Sequence, residues 1–188
     1  MKKDSKRTGT SWGKVADWYD EMLDEKDNTY QKNVILPNIL RLMDIKKGEI
    51  ILDLACGSGF FSREFFKKGA KVVGVDISAE LIDIAKKKSP KEIEYHVLSA
   101  DKLASVEEKS VDKIAVILAI QNIENISGVF SECNRVLKNG GKIFLVMNHP
   151  AFRIPKLSGW TFDDKNKIQY RRIDEYMSEL KSKIEMHP

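Results

Sequence analysis

The stretch Ile50-Ile-Leu-Asp-Leu-Ala-Cys-Gly-Ser-Gly59 constrains the fold more than any other. From Ile50 to Leu54 only Asp53 is polar, and so short and apolar a run suits a strand covered on both faces. The chain then breaks into Cys56-Gly57-Ser58-Gly59. Two glycines two apart allow a sharp turn and leave no Cβ between the backbone and a ligand. Phe60, Phe61, Phe65 and Phe66 follow at helical spacing. Strand, glycine loop and helix in that order open an α/β sheet whose ligand, nucleotide-like, sits at the carboxyl ends of the strands. A dinucleotide loop requires a third glycine where this chain has Ser62. Asp53, four residues before Gly57, suits a ligand with a positive amino group better than a pyrophosphate.

The remaining pattern continues the alternation. Helical spacing is expected over Tyr30–Met43, kinked or restarted at Pro37, then over 60–68 with Gly69 as its stop. Lys71–Asp76 reads as the second strand. Asp76 at its end can accept hydrogen bonds from both hydroxyls of a ribose; the competing role is to cap the next helix, for which Ser78 is an equally good candidate. A helix over 81–88 is broken by Pro90, and Ile93–Val97 alternates as a third strand. His96 within it reads as structural. A fourth strand is expected over 113–119, and Gln121 and Asn122 after it would line the mouth of the cleft. A helix over 128–137, a turn at Asn139-Gly140-Gly141 and a fifth strand over 142–147 complete the core. His149, just past that strand, is the best general-base candidate because imidazole titrates near neutral pH; a loop histidine bonded to backbone is the alternative.

The segment Asp53-Leu-Ala-Cys-Gly-Ser-Gly59 resembles the first motif of class I S-adenosylmethionine-dependent methyltransferases, with Ala55 where many members have glycine. Ser99-Ala100-Asp101 is similar to the family's acid after strand three, which accepts from the adenine amine. Asp112 resembles its acid before strand four, and Arg135–Ile143 its turn before strand five. The Trp18-Tyr19-Asp20 segment resembles the lid helix of small-molecule methyltransferases, and the general pattern is most similar to the quinone-biosynthesis type. The resemblance implies a Rossmann-like, doubly wound parallel sheet and S-adenosyl-L-methionine as cofactor. It implies cofactor contacts from Asp53, Ala55, Cys56, Gly57, Ser58 and Gly59, from Asp76 and Ile77, from Ser99, Ala100 and Asp101, and from Ala119 and Gln121. Substrate contacts would come from Trp12, Trp18, Tyr19, Gln121, Asn122 and His149, and the acceptor would be a small molecule. An RNA or protein methyltransferase and a non-catalytic cofactor-binding subunit are the alternatives; a nicotinamide dehydrogenase is disfavoured by Asp53 and Ser62.

Residues 1–10 read as a disordered start, 11–48 as a helical lid, 49–150 as the cofactor-binding core and 151–188 as a substrate-lid segment. Phe152–Pro155 and Trp160–Phe162 read as irregular, Lys167–Arg172 as a strand, and Ile173, Met177, Leu180 and Ile184 as a helical stripe. The family's strands six and seven are not found before Pro188, so the chain reads as truncated and its open edge as needing a homodimer or another partner. No run approaches the about 18 apolar residues of a membrane span, and the basic start has no apolar segment behind it to make a signal peptide. Cys56 and Cys133 offer neither a CxxC metal site nor a disulfide framework, which fits a reducing cytoplasm. The net charge of +4 comes from lysines scattered among acids, a solvated surface rather than a nucleic-acid face.

Overall fold

A computed structural model of the chain describes residues 29–149, 157–174 and 176. The apolar run is β1 (Ile50–Leu54), buried from Ile51 onward. It lies at the centre of a five-stranded sheet with β2 (Lys71–Asp76), β3 (Glu94–Val97), β4 (Val111–Ile117) and β5 (Leu137–Val146), in the order β3-β2-β1-β4-β5. Every pairing is parallel, with Asp53 opposite Gly74 on one side and Ala115 on the other. The strand order reverses between β1 and β4, and the carboxyl edge at such a point is where α/β sheets open a crevice.

Among the described residues four α-helices cover the sheet: α1 (Leu36–Met43), α2 (Phe60–Lys67), α3 (Ala79–Lys88) and α4 (Ile126–Val136). Ile39 and Met43 of α1, Phe61 and Phe65 of α2 and Ile82 and Ala85 of α3 pack with Ile51 and Val72 on one face. Val129, Cys133 and Val136 of α4, with Leu103 and Val106, pack on Leu52, Leu54 and Ile114 on the other. The expected restart at Pro37 is present. A π-turn spans Gln31–Ile35, the Leu36 N–H reaches back to Gln31 O, and Pro37 sits in the first turn of α1. Proline has no N–H for the next helical bond, so the wider turn ends there.

Asp112 does not precede β4 but is its second residue, and it works as a tie. One carboxylate oxygen accepts from the Ile50 N–H at 2.8 Å and the other from Lys138 Nζ at 2.8 Å. The Asn139-Gly140-Gly141 turn is a bulge rather than a break. β5 begins directly after α4, and the register slips between Val111↔Leu137 and Lys113↔Lys142.

The C-terminal strands are a correction. β6 (Ser158–Asp163) and β7 (Ile168–Ile173) are present and pair antiparallel, with Trp160 opposite Arg171. Trp160–Phe162 is therefore strand, not irregular, whereas Lys167–Arg172 largely coincides with β7. The two strands form a sheet of their own rather than extending the first. The chain divides into two compact units at Val146/Met147, with β6 and β7 in the second. Ile173, expected to open a helical stripe, is instead the last residue of β7; Met177, Leu180 and Ile184, and the reading of Phe152–Pro155, lie outside the described residues. Among the described residues no helix is long and apolar enough to cross a membrane.

Candidate functional site

At the end of β1 the chain enters left-handed backbone three times: Ala55 at φ 60°, Gly57 at φ 57° and Gly59 at φ 77°. Cys56 N–H bonds to Val75 O at 3.0 Å, pinning the loop to β2. Asp76 closes it. One of its oxygens accepts from the Gly57 N–H and the other from the Ser78 N–H, both at 2.9 Å. Ser78 caps α3 as expected, accepting from the Leu81 N–H. Asp76 is not left free by that cap, since Gly57 and Ser78 each occupy one of its oxygens and the Ile77 backbone adds to them, but a carboxylate has about four acceptor sites. Burial raises the Asp76 carboxyl above its ordinary range, against the bonds from the Ser78 and Gly57 backbone.

A cavity of about 480 Å³ opens at this edge. Ala55, Asp76 and Ile77 form one side, Leu98, Ser99, Ala100 and Asp101 the next, and Asn122–Asn125 a third. The Ser99 hydroxyl donates to Asp101 Oδ1, and Asn125 Nδ2 donates to Asp101 Oδ2 at 2.9 Å. These two bonds hold the Asp101 carboxyl below the usual carboxylate range. Asn125 also caps α4, its Oδ1 accepting from the Gly128 N–H at 3.0 Å. Sequence reasoning missed Val75, Leu98, Ile123, Glu124 and Asn125 as lining residues. Asn125 was legible as a helix N-cap ahead of an apolar stripe.

Other expected site residues are not among those that line this cavity. Ala119 leads into a 3₁₀ turn over Ile120–Asn122, and Gln121 is exposed and donates to Leu118 O at 2.7 Å; neither lines the cavity, whereas Asn122 does. Gly59 is required by its positive φ and by close packing: a Cβ there would come 3.0 Å from Tyr95 Cζ and 3.1 Å from Ala85 Cβ. Cys56 is buried, which pushes its thiol well up. Asp53 is buried beneath the loop and accepts from Ser62 Oγ at 2.5 Å. Burial pushes it up to about 7, the Ser62 bond opposing and the Asp76 charge adding. Ser58 Oγ is buried and has no hydrogen-bond partner among the described residues. His149 is exposed, in the second unit, and His96 is half-buried in β3 near Glu94. Trp12, Trp18 and Tyr19 lie outside the described residues.

A parallel sheet with a glycine loop after β1, an acid closing that loop from β2 and a cavity at the carboxyl edge together define a nucleotide-type cofactor domain. The family model described as "Methyltransferase domain" matches residues 52–145, and the chain belongs to this family, the class I S-adenosylmethionine-dependent methyltransferases. It is 31% identical over 101 residues to a ubiquinone biosynthesis O-methyltransferase of Xanthomonas oryzae, covering 52% of this chain and 42% of the relative. It is 30% identical over 113 residues to a demethylmenaquinone methyltransferase of Tropheryma whipplei, covering 58% and 46%. A solved S-adenosylmethionine-dependent methyltransferase from Mesorhizobium loti superposes with a TM-score of 0.67 at 28% identity, over 80% of this chain and 67% of that one. The chain thus spans about half the length of the curated relatives it matches.

Proposed function

We propose that the chain transfers the methyl group of S-adenosylmethionine to an O, N or C nucleophile of a small molecule. The observation that carries this reading is the cavity of about 480 Å³ at the carboxyl edge, with Asp76 on one side and Asp101 on another. The residues fit the cofactor. Asp76 keeps lone pairs for ribose hydroxyls, and Asp101, steadied by Ser99 and Asn125, keeps acceptors for an exocyclic amine. Ile77, Leu98 and Ile123 offer apolar contact to a purine. The Ser58 hydroxyl, buried without a partner among the described residues, is a polar group that a ligand at the loop would satisfy.

When bound, the cofactor supplies a methyl group made electrophilic by its sulfonium. The protein's work is to bind, to orient and to exclude water. Alignment of nucleophile and methyl is the main contribution, since a well-oriented pair reaches an effective molarity of roughly 10⁵–10⁸ M. His149 is the candidate for taking a proton from the acceptor; a phenol or enolised acceptor needs little such help. The names of the curated relatives support an acceptor of quinone-precursor type.

Calorimetric titration with S-adenosylhomocysteine, with NAD as control, tests the reading. The former binds and the latter does not. Asp76→Ala weakens S-adenosylhomocysteine at least about tenfold, or about 1.4 kcal/mol. Binding of NAD, or of neither ligand to a folded sample, overturns the reading.

A further inference from the structure

Beneath the glycine loop lies a buried polar cluster centred on Asp53. Asp53 stands in β1 between Gly74 and Ala115 and is 2% exposed. Its carboxylate accepts from Ser62 Oγ of α2, itself fully buried. Tyr95 of β3 fills the neighbouring space, where a Cβ at Gly74 would come 2.5 Å from its ring, and its hydroxyl bonds to Ser89 Oγ at 2.9 Å. The titratable groups around Asp53 are Asp76 from β2, the Cys56 thiol from the loop and Tyr95 from β3. None of these is a cation, and no ion pair with Asp53 occurs among the described residues. An ionised carboxylate buried beside another acid, with only the neutral Ser62 hydroxyl and backbone N–H as donors among the described residues, is costly. Ala55, two residues on, lines the cavity, which places Asp53 beneath the loop that a ligand there would meet.

We propose that Asp53 is the proton-linked group of the cofactor site: it holds a proton while no cation is near, and a ligand that brings an ammonium group to the glycine loop drives that proton off. The inference rests on the cofactor reading above, because S-adenosylmethionine and its demethylated product both carry such an ammonium. The Asp53 O–H bond breaks, the proton leaves to solvent, and the carboxylate stays, accepting from Ser62 and balanced by the ligand's charge. Ser62 is a positioning residue: where a dinucleotide loop has its third glycine, this chain has a hydroxyl that holds the carboxylate.

Calorimetry of the full chain with S-adenosylhomocysteine, in two buffers of different ionisation enthalpy, counts the protons. Release approaches one at about pH 6 and fades towards about pH 8, and affinity rises about tenfold per pH unit below the transition before levelling off. 5′-Methylthioadenosine, which has the nucleoside but no ammonium, binds without release. Asp53→Asn binds S-adenosylhomocysteine without release. Ser62→Ala still releases, with the midpoint moved to higher pH because a bond favouring the ionised form is gone; it carries the test if Asp53→Asn fails to fold. Absence of release from the unaltered chain at about pH 6 overturns the proposal while leaving the cofactor reading intact. So does release that persists in Asp53→Asn, which assigns the proton to Asp76. Failure of S-adenosylhomocysteine to bind at any pH overturns both.

Discussion

Ala55 stands where family members often carry glycine, and its φ of 60° shows why glycine suits the place. A Cβ in left-handed backbone costs roughly 1–2 kcal/mol, offset in part by the roughly 0.5–1 kcal/mol that glycine loses in chain entropy. Ala55→Gly is therefore expected to hold or raise the urea midpoint; a fall would show that the methyl packs usefully. Asp53 and Asp76 make a second prediction, because burial raises both above their unfolded values. A raised acid means that folding takes up a proton. The stabilising linkage is present at low pH and is lost as pH rises from about 4, the unfolded value, through the Asp53 value of about 7. The stability of Asp53→Asn relative to the unaltered chain should thus grow between about pH 5 and pH 7 and then level off. Urea unfolding across that range reads it, and a flat difference would show that Asp53 is ionised throughout. His149→Ala should lower turnover and leave cofactor affinity unchanged; full turnover would mean that alignment alone suffices. These residue types were legible in the sequence, but their surroundings were not. Tyr95, which makes Gly59 obligatory, is remote in the chain and carries no mark of its role, and the Ser62 bond to Asp53 crosses from helix to strand.

Among the elements, those with strong periodicity were legible and those with unmarked turns were not. The alternating core from β1 to β5 emerged from apolar runs, glycine stops and helix caps. β7 was legible as a strand, but β6 and its pairing into a hairpin were missed because the connection, Asp164–Lys167, carries neither glycine nor proline. Instead Asp163 Oδ1 accepts from the Lys165 and Asn166 N–H groups at 3.0 and 3.1 Å, and Lys167 takes φ 55°. A side-chain-bonded turn of this kind is built from ordinary polar residues. The bulge before the regular part of β5 was read as a turn because its glycines mark a break in pairing without saying on which side pairing resumes. Its two glycines should respond differently. Gly140 is at φ 79° with open space around its Cβ position, so Gly140→Ala should cost about 1 kcal/mol from backbone strain alone. A Cβ on Gly141 would come 3.0 Å from Asp112 O and 2.8 Å from Leu137 Cδ2. Gly141→Val should therefore cost more, about 1–3 kcal/mol of overpacking. Equal losses in urea unfolding would place the strain in the strand as a whole.

On the scale of the sheet, parallel strands give the core two unlike ends. The carboxyl edge carries the left-handed residues Ala55, Gly57, Gly59 and Leu118, the backbone-bound Asp76 and the cavity. The amino edge carries ties that close the structure: Asp112 to Ile50 and Lys138, Lys113 to Glu49, and the Gly48 N–H to Gly69 O at 2.8 Å. Left-handed backbone occurs at both ends, since Asp44, Gly48, Gly69 and Lys109 precede strands at the amino edge; what sets the carboxyl edge apart is the cavity and the buried Ser58 hydroxyl with no partner among the described residues, so local opening is expected where ligands enter. A ligand that binds only the folded form stabilises it by about 2.7 kcal/mol at a concentration 100 times its dissociation constant. Where that stabilisation appears is set by the polarity of the sheet. Saturating S-adenosylhomocysteine should slow amide exchange in 55–59, 76–78, 98–101 and 122–125 and raise the thermal midpoint. It should leave the amino-edge turns at 46–49 and 90–93 exchanging as before, up to the limit set by global unfolding. Protection spread evenly over both edges would instead mean that the ligand acts on global stability alone and that the carboxyl-edge loops are already closed without it.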